Sequence, residues 1–160
     1  MALAMAVGAG SPHRFLGRKI SRSRCNERTA ILVPMANARD LKRAEAGDTN
    51  LRKANLSGAN LSGANLSEAD LRGADLRGAN LYGAYFYLAD LSGANLSEAD
   101  LGQAHLDGAN LTDAKLTDAN LYKATLRGAD LTRADFAGAY LYFANFNGAT
   151  LPNGKKHEAK

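Results

Sequence analysis

From Thr49 onward, apolar side chains recur every five residues. Taking residues 51, 56, 61 and so on to 151 as position i, all 21 are large and apolar: 18 are Leu, and the others are Phe86, Phe136 and Phe146. Position i−2 is Ala at 20 consecutive occurrences, from Ala54 to Ala149. Position i−1 is mostly Asn or Asp, and i+1 is mostly polar. An amphipathic helix would instead place apolar residues at i, i+3, i+4 and i+7. Residues two apart share one face of an extended segment, so each Ala–Leu pair marks a short extended piece with a turn after it. In a four-residue turn from i to the next i−2, the third residue is i+2. A type II turn requires positive φ there, which Gly adopts without a Cβ clash, and i+2 is Gly in ten repeats, including Gly58, Gly63, Gly73 and Gly148. The eleven other occupants, such as Glu68, Leu88, Lys123 and Phe143, are expected in turns that avoid positive φ. The Asn and Asp side chains at i−1 are expected to hydrogen-bond backbone groups of neighbouring turns.

Stretches such as Ala59-Asn60-Leu61-Ser62-Gly63 and Ala74-Asp75-Leu76-Arg77-Gly78 follow the pattern A-[DN]-L-x-x. With them the chain resembles the pentapeptide-repeat family. The resemblance implies an all-β fold, a right-handed quadrilateral β-solenoid of about five coils with four repeats in each. In that fold the i residues fill the interior and the small Ala at i−2 leaves them room. For function the resemblance is weak, because the family is defined by its architecture.

A solenoid exposes strand edges at both ends, and an open edge invites pairing. Residues 37–48 read as a short N-terminal helix ending at Gly47, with Arg39, Asp40 and Glu45 outward and Leu41, Ala44 and Ala46 toward the first coil. At the other end the repeats run to 153. Pro152 cannot donate a ladder hydrogen bond, and residues 154–160 form a charged tail. An uncapped C-terminal end would allow homodimer formation.

Charge separates these parts. The chain carries +4 in total. Residues 1–48 hold nine basic and four acidic side chains, residues 49–153 eight basic and eleven acidic. The basic character therefore belongs to the ends. Residues 1–36 begin Ala-rich and continue through a Ser/Arg stretch with Glu27 as their one acid. That composition is typical of an organelle transit peptide, of chloroplast type; a disordered basic arm is the plainer alternative. The short apolar run Ala30–Met35, followed by Ala36-Asn37-Ala38, could be the second half of a lumen-targeting signal. The expected location is the chloroplast, stroma or thylakoid lumen. Loss of residues 1–36 would leave the chain at −1, close to neutral. The single Cys25 lies in that leader, so neither a disulfide framework nor a Cys-based zinc site is expected. No transmembrane segment is expected, since no window approaches 18 apolar residues.

Catalytic constellations are missing. His13, His105 and His157 are far apart in sequence, and no Gly-rich phosphate loop joins a strand to a helix. His105 occupies an i−1 slot, where it stands in for Asn, near Tyr85 one coil before and Thr125 one coil after. No enzyme activity, cofactor or metal is expected. The N-x-[ST] matches, such as Asn60-Leu61-Ser62, are by-products of the repeat.

The outer aromatic residues are the candidate surface for a protein partner, since such residues are enriched at interfaces. Tyr82, Tyr122 and Tyr142 occupy i+1 on one face, a column interrupted by Gly102. Tyr85, Tyr87 and Leu88 sit at an adjacent corner, and Tyr140, Tyr142 and Phe143 in the last complete coil. The function expected is a non-catalytic structural or protein-interaction module in a plastid. The alternative, suggested by the pentapeptide-repeat proteins that confer quinolone resistance, is a DNA-mimicking modulator of a type II topoisomerase (gyrase). Asp70, Asp90 and Asp130 line one face as phosphate mimics would, but Arg52, Arg72 and Arg133 lie beside them. Direct nucleic-acid binding would need a basic stripe, and none is present.

Overall fold

The computed structural model describes residues 35–158. The leader proposed for residues 1–36 therefore lies outside the described residues, save for Met35 and Ala36. One helix, α1 (Ala38–Glu45), leads into a coil whose residues pair in parallel with those 20 positions on, as in Asp75 with Asn95 and Asn95 with Lys115. Twenty residues are four repeats, so each coil has four sides. A side is so short that pairing is limited to single bridges at i−1, from Asn50↔Asp70 to Asp130↔Thr150.

The ladder follows from the hydrogen-bonding needs of one repeat. In the repeat Ala94–Glu98, the Ala94 N–H closes a turn on the Leu91 carbonyl at 2.9 Å. Asn95 N–H reaches back one coil to Ala74 O at 2.9 Å. Leu96 and Glu98 N–H reach forward one coil to Lys115 O at 2.7 Å and Thr117 O at 2.9 Å. The fifth donor, Ser97 N–H, takes part in neither ladder nor turn. The side chain of Asn95 accepts it at 3.1 Å. The same bond, from the i+1 N–H to the i−1 side chain, recurs from Asn55 to Asn145. Asn and Asp at i−1 thus act within their own repeat, rather than mainly toward neighbouring turns as their polarity suggests, because this donor has no other acceptor.

The turns are uniform. All ten Gly at i+2 have positive φ, and so do ten of the other eleven occupants, including Lys53, Glu68, Leu88, Glu98, Lys123 and Phe143, with φ between 54° and 62°. The expectation that non-glycine turns avoid positive φ is wrong. In nine of these ten, all but Phe143, the i+2 N–H belongs to the ladder, as at Glu98, and the ladder holds the backbone in place whatever side chain it carries. Such residues cost about 1–2 kcal/mol each, a cost borne by neighbouring coils.

Inside, every i-position side chain from Leu51 to Leu131 is at most 2% exposed. Phe86 is fully enclosed. Burial then falls off. Phe136, Ala139, Ala144 and Phe146 are only partly buried, and Leu141 is 37% exposed.

The ends are treated differently. Asn37 caps α1 by accepting from Arg39 N–H at 2.9 Å, and Gly47, at φ 74°, ends the turn that follows. Ala44 is buried and Leu41 partly buried against the first coil. Two details of the sequence-based picture change. Ala46 is exposed, because the helix stops at Glu45 before its apolar stripe reaches that residue. Asp40 does not face solvent alone: its carboxylate accepts the Asn55 N–H at 3.0 Å, while Asn37 N–H donates to Asn55 O at 2.8 Å. Asp48 accepts from Asn50 N–H at 2.9 Å, and the Arg43 guanidinium donates to the Asn50 carbonyl. Two sides of the first coil, which have no preceding coil, are closed in this way. At the far end the chain turns at Pro152–Gly154 and runs back antiparallel, with Lys156 paired to Thr150 and His157 N–H on Ala149 O at 2.7 Å. Part of the tail read as merely charged thus covers one side of the last coil.

Exchanging turn residues tests the conformational cost directly. Glu98→Gly is expected to stabilise the protein by about 0.5–1 kcal/mol, and Gly58→Ala, with open space around its Cβ, to destabilise it by about 1 kcal/mol. Urea unfolding midpoints that move together, or not at all, would contradict the account.

Candidate functional site

The aromatic residues fall into two clusters plus an outlier. Tyr122, Tyr140, Tyr142 and Phe143 form one. Tyr122 lies 6.5 Å from Tyr142 with rings 10° from parallel, and 6.2 Å from Tyr140. Tyr142 and Phe143 are 4.1 Å apart, and the Lys123 ammonium sits 5.1 Å from the Tyr122 ring centre. The 20-residue register stacks Tyr122 under Tyr142. Tyr140 joins them because i−1 and i+1 of one repeat project outward side by side.

Tyr85, Tyr87 and His105 form the second cluster. Tyr85 stacks on His105 at 4.9 Å with rings 8° from parallel, and Tyr87 lies 5.7 Å from His105. His105 bridges Tyr85 and Thr125 in the ladder, so it fills the Asn slot and supports an aromatic surface at once. Its 20-residue separation from Tyr85 is the signal that places it in the cluster. Leu88 lies over Gly108, where an added Cβ would come within 2.8 Å of its Cδ2.

Tyr82 stands apart, with no ring contact among the described residues. Gly102 does more than break the column: a Cβ there would meet the Tyr82 ring at 3.0 Å. The missing side chain is the seat on which Tyr82 lies.

These aromatic residues break the repeat at a cost. Tyr85, His105 and Tyr140 occupy i−1 without the side-chain acceptor that Asn or Asp provides. The N–H groups of Tyr87, Asp107 and Tyr142 have no protein acceptor among the described residues, and these residues are partly or largely exposed to water. Lys115 also lacks the acceptor, leaving the Thr117 N–H without a protein partner among the described residues, but two other exceptions are compensated. Arg127 N–H finds Asp107 at 3.1 Å in place of a bond to Thr125, and Thr150 precedes Pro152, which has no N–H. Positions that give up a local bond while exposing an aromatic ring are where function is expected to override structure.

Four of the aspartates in the repeats are paired with arginines. Arg72 grips Asp70 through two bonds, at 2.7 and 2.5 Å, and lies 3.8 Å from Asp90. Arg77 holds Asp75, and Arg133 holds Asp113, in the same two-pronged way. The Arg72 hydrogen bond lowers the Asp70 pKa from 3.8 to about 2. Asp130 is lowered first by the Thr132 hydroxyl and then by its backbone N–H. Among the described residues no group of three His, Cys, Asp or Glu could hold a metal ion.

The chain matches the family model for pentapeptide repeats over residues 54–93, 94–133 and 114–153. It belongs to the pentapeptide-repeat family. Among solved structures it is similar to a pentapeptide repeat protein of the Arabidopsis thaliana thylakoid lumen, at 37% identity over 68% of this chain and 72% of that one, with a TM-score of 0.51. It is also similar to a pentapeptide repeat protein of the cyanobacterium Cyanothece 51142, at 33% identity over 69% and 92% of the two chains, TM-score 0.38. A plasmid-mediated fluoroquinolone resistance protein matches at 23% identity over 64% and 69%, TM-score 0.38. No curated protein matches the chain.

The Asp70 carboxyl, followed by NMR, is expected to titrate near 2. Because its folded pKa lies below the unfolded one, its contribution to stability is complete above pH 3.8 and disappears as pH falls through about 2. Arg72→Ala should return the midpoint toward 3.8; an unchanged midpoint would remove the arginine as the cause.

Proposed function

We infer that this protein is a non-catalytic interaction module of the chloroplast, in stroma or thylakoid lumen, built as a rod of about five coils that presents aromatic residues to a protein partner. The observation that carries the reading is the coincidence at Tyr85, His105 and Tyr140. Each gives up the i−1 acceptor, and each lies in an aromatic cluster with Tyr87 or with Tyr142. Tyr142 is 58% exposed and Phe143 64%. Exposed aromatic groups that cost the fold a hydrogen bond are suited to binding, where Tyr supplies area at low entropic cost. The Ser/Arg-rich, acid-poor leader composition and the likeness to a thylakoid lumen protein support the location. A cut between residues 36 and 37 would keep the Asn37 cap of α1, whereas a cut after Ala38 would remove it. Among the described residues no helix is long and apolar enough to cross a membrane.

The reading involves no catalysis, cofactor or nucleic-acid contact. The gyrase alternative is disfavoured by the arginine pairs. A surface standing in for DNA phosphates needs free negative charge, and Asp70, Asp75 and Asp113 are each neutralised by a guanidinium.

Affinity capture from fractionated chloroplasts tests the surface. The Tyr82→Ser/Tyr122→Ser/Tyr142→Ser variant is expected to lose the partners retained by the parent protein while melting at a similar temperature. Identical partner sets would sink the proposal. Self-association through the C-terminal end is proposed on the exposure of Leu141 beside half-buried Phe136 and Phe146. Analytical ultracentrifugation should show a dimer that Leu141→Glu abolishes; a monomer at every concentration rules it out.

A further inference from the structure

A second site lies beside Tyr87, outside the candidate partner surface except for that residue. It is a shallow depression of about 670 Å³ lined by Tyr87, Asp107, Arg127, Gly128, Asn147 and Gly148. The 20-residue register assembles it: Tyr87, Asp107, Arg127 and Asn147 are the i+1 residues of four successive coils on one side of the solenoid. Its floor is open because positions 128 and 148 lack side chains. A Cβ at Gly128 would meet nothing within 4 Å, and one at Gly148 only Gly128 N at 3.9 Å.

The polar groups here are partly fixed and partly free. Asp107 is oriented by the Thr125 hydroxyl, which donates to Oδ2 at 2.6 Å, and by Arg127 N–H, which donates to Oδ1 at 3.1 Å. Two bonds leave a carboxylate further lone pairs for a ligand. The Arg127 guanidinium has no acceptor among the described residues, unlike those of Arg72, Arg77 and Arg133, which are tied to aspartates. Neither the Asn147 amide nor the Tyr87 hydroxyl has a side-chain partner there. The Tyr87 ring is steadied by His105 at 5.7 Å and Tyr85 at 6.1 Å. Lys156, at the rim, is held on the Gly148 carbonyl at 3.3 Å.

The lining favours a neutral ligand that both donates and accepts. An anion would satisfy Arg127 and the Lys156 ammonium at the rim but meet the Asp107 carboxylate in the same depression. A cation would meet the opposite conflict. An apolar group would leave the guanidinium, carboxylate and amide unserved. A hydroxyl both donates and accepts, so it can serve Asp107 and Arg127 at once. A ring of hydroxyl-bearing carbons also has a C–H face that packs on the electron-rich face of Tyr87. We propose that this depression is a binding site for a neutral sugar unit of a glycan, with Tyr87 as stacking platform and Asp107, Arg127 and Asn147 as the hydroxyl-reading groups. This goes beyond the protein-partner function, which the triple tyrosine variant tests separately.

The full chain, probed on an array of neutral and acidic oligosaccharides, is expected to bind neutral members. NMR titration with the best neutral binder should then shift the amides of Tyr87, Gly128, Asn147 and Gly148. Tyr87→Ala and Asn147→Ala are each expected to weaken binding by about tenfold or more, with unchanged melting temperature. If Tyr87→Ala perturbs the fold, Asn147→Ala alone carries the test, since it removes only an exposed side chain. Silence across the array, binding of acidic members alone, or amide shifts elsewhere on the rod would each overturn the assignment.

Discussion

Each repeat has five backbone N–H groups, and the fold depends on finding acceptors for at least four of them. Turn closure takes one, the coil before takes one, and the coil after takes two. The last is left to a side chain, in most repeats a short polar group two residues upstream. This explains the Asn and Asp at i−1 more directly than general polarity does. It also explains why the pairing between coils consists of single bridges: the ladder needs regularity along the axis, not length along a strand. The interior follows. Once the backbone is committed to a side of this size, one large and one small apolar residue per repeat fill the space, and Leu with Ala is the recurrent solution.

The turns show how strongly that ladder controls local conformation. Ten side chains, from Lys53 to Phe143, sit at positive φ although none is Gly. Isolated turns of such sequences would avoid that region. In nine of the ten, all but Phe143, the i+2 N–H is held by the next coil, so the preference of one residue is overruled by contacts about a coil away. The same logic governs the ends. Where the preceding coil is missing, α1 provides Asp40 and Asn37 to Asn55, and Arg43 and Asp48 to Asn50. Where the next coil is missing, the reversed tail supplies part of the edge on one side, and core positions such as Leu141 become exposed.

Function is read best where the regular scheme is abandoned. Tyr85, His105 and Tyr140 forgo the i−1 acceptor, and each supports an aromatic cluster at the surface. Gly102 and Gly108 have a comparable role, since their missing side chains let Tyr82 and Leu88 lie flat on the rod. The charges behave differently: Asp70, Asp75, Asp90 and Asp113 are engaged by arginines, whereas Arg127, like Arg52, has no acidic partner among the described residues.

The period of five, the apolar interior, the turn at i+2 and the family itself were legible in the residues, because each is a local pattern repeated until chance is excluded. The stacking of Tyr122 under Tyr142 and of Tyr85 beside His105 was legible too, once a coil of 20 residues was assumed. Other features took shape only in three dimensions. Asp40 turns to the ladder edge because the first coil has nothing before it. Glu68 and Leu88 accept positive φ because the next coil holds their N–H groups. Tyr87, Asp107, Arg127 and Asn147 form one depression because Gly128 and Gly148 leave it open. A repeat specifies which residues face in and which face out. What the outward residues meet depends on partners a whole coil away, and on the two ends where that partner is missing.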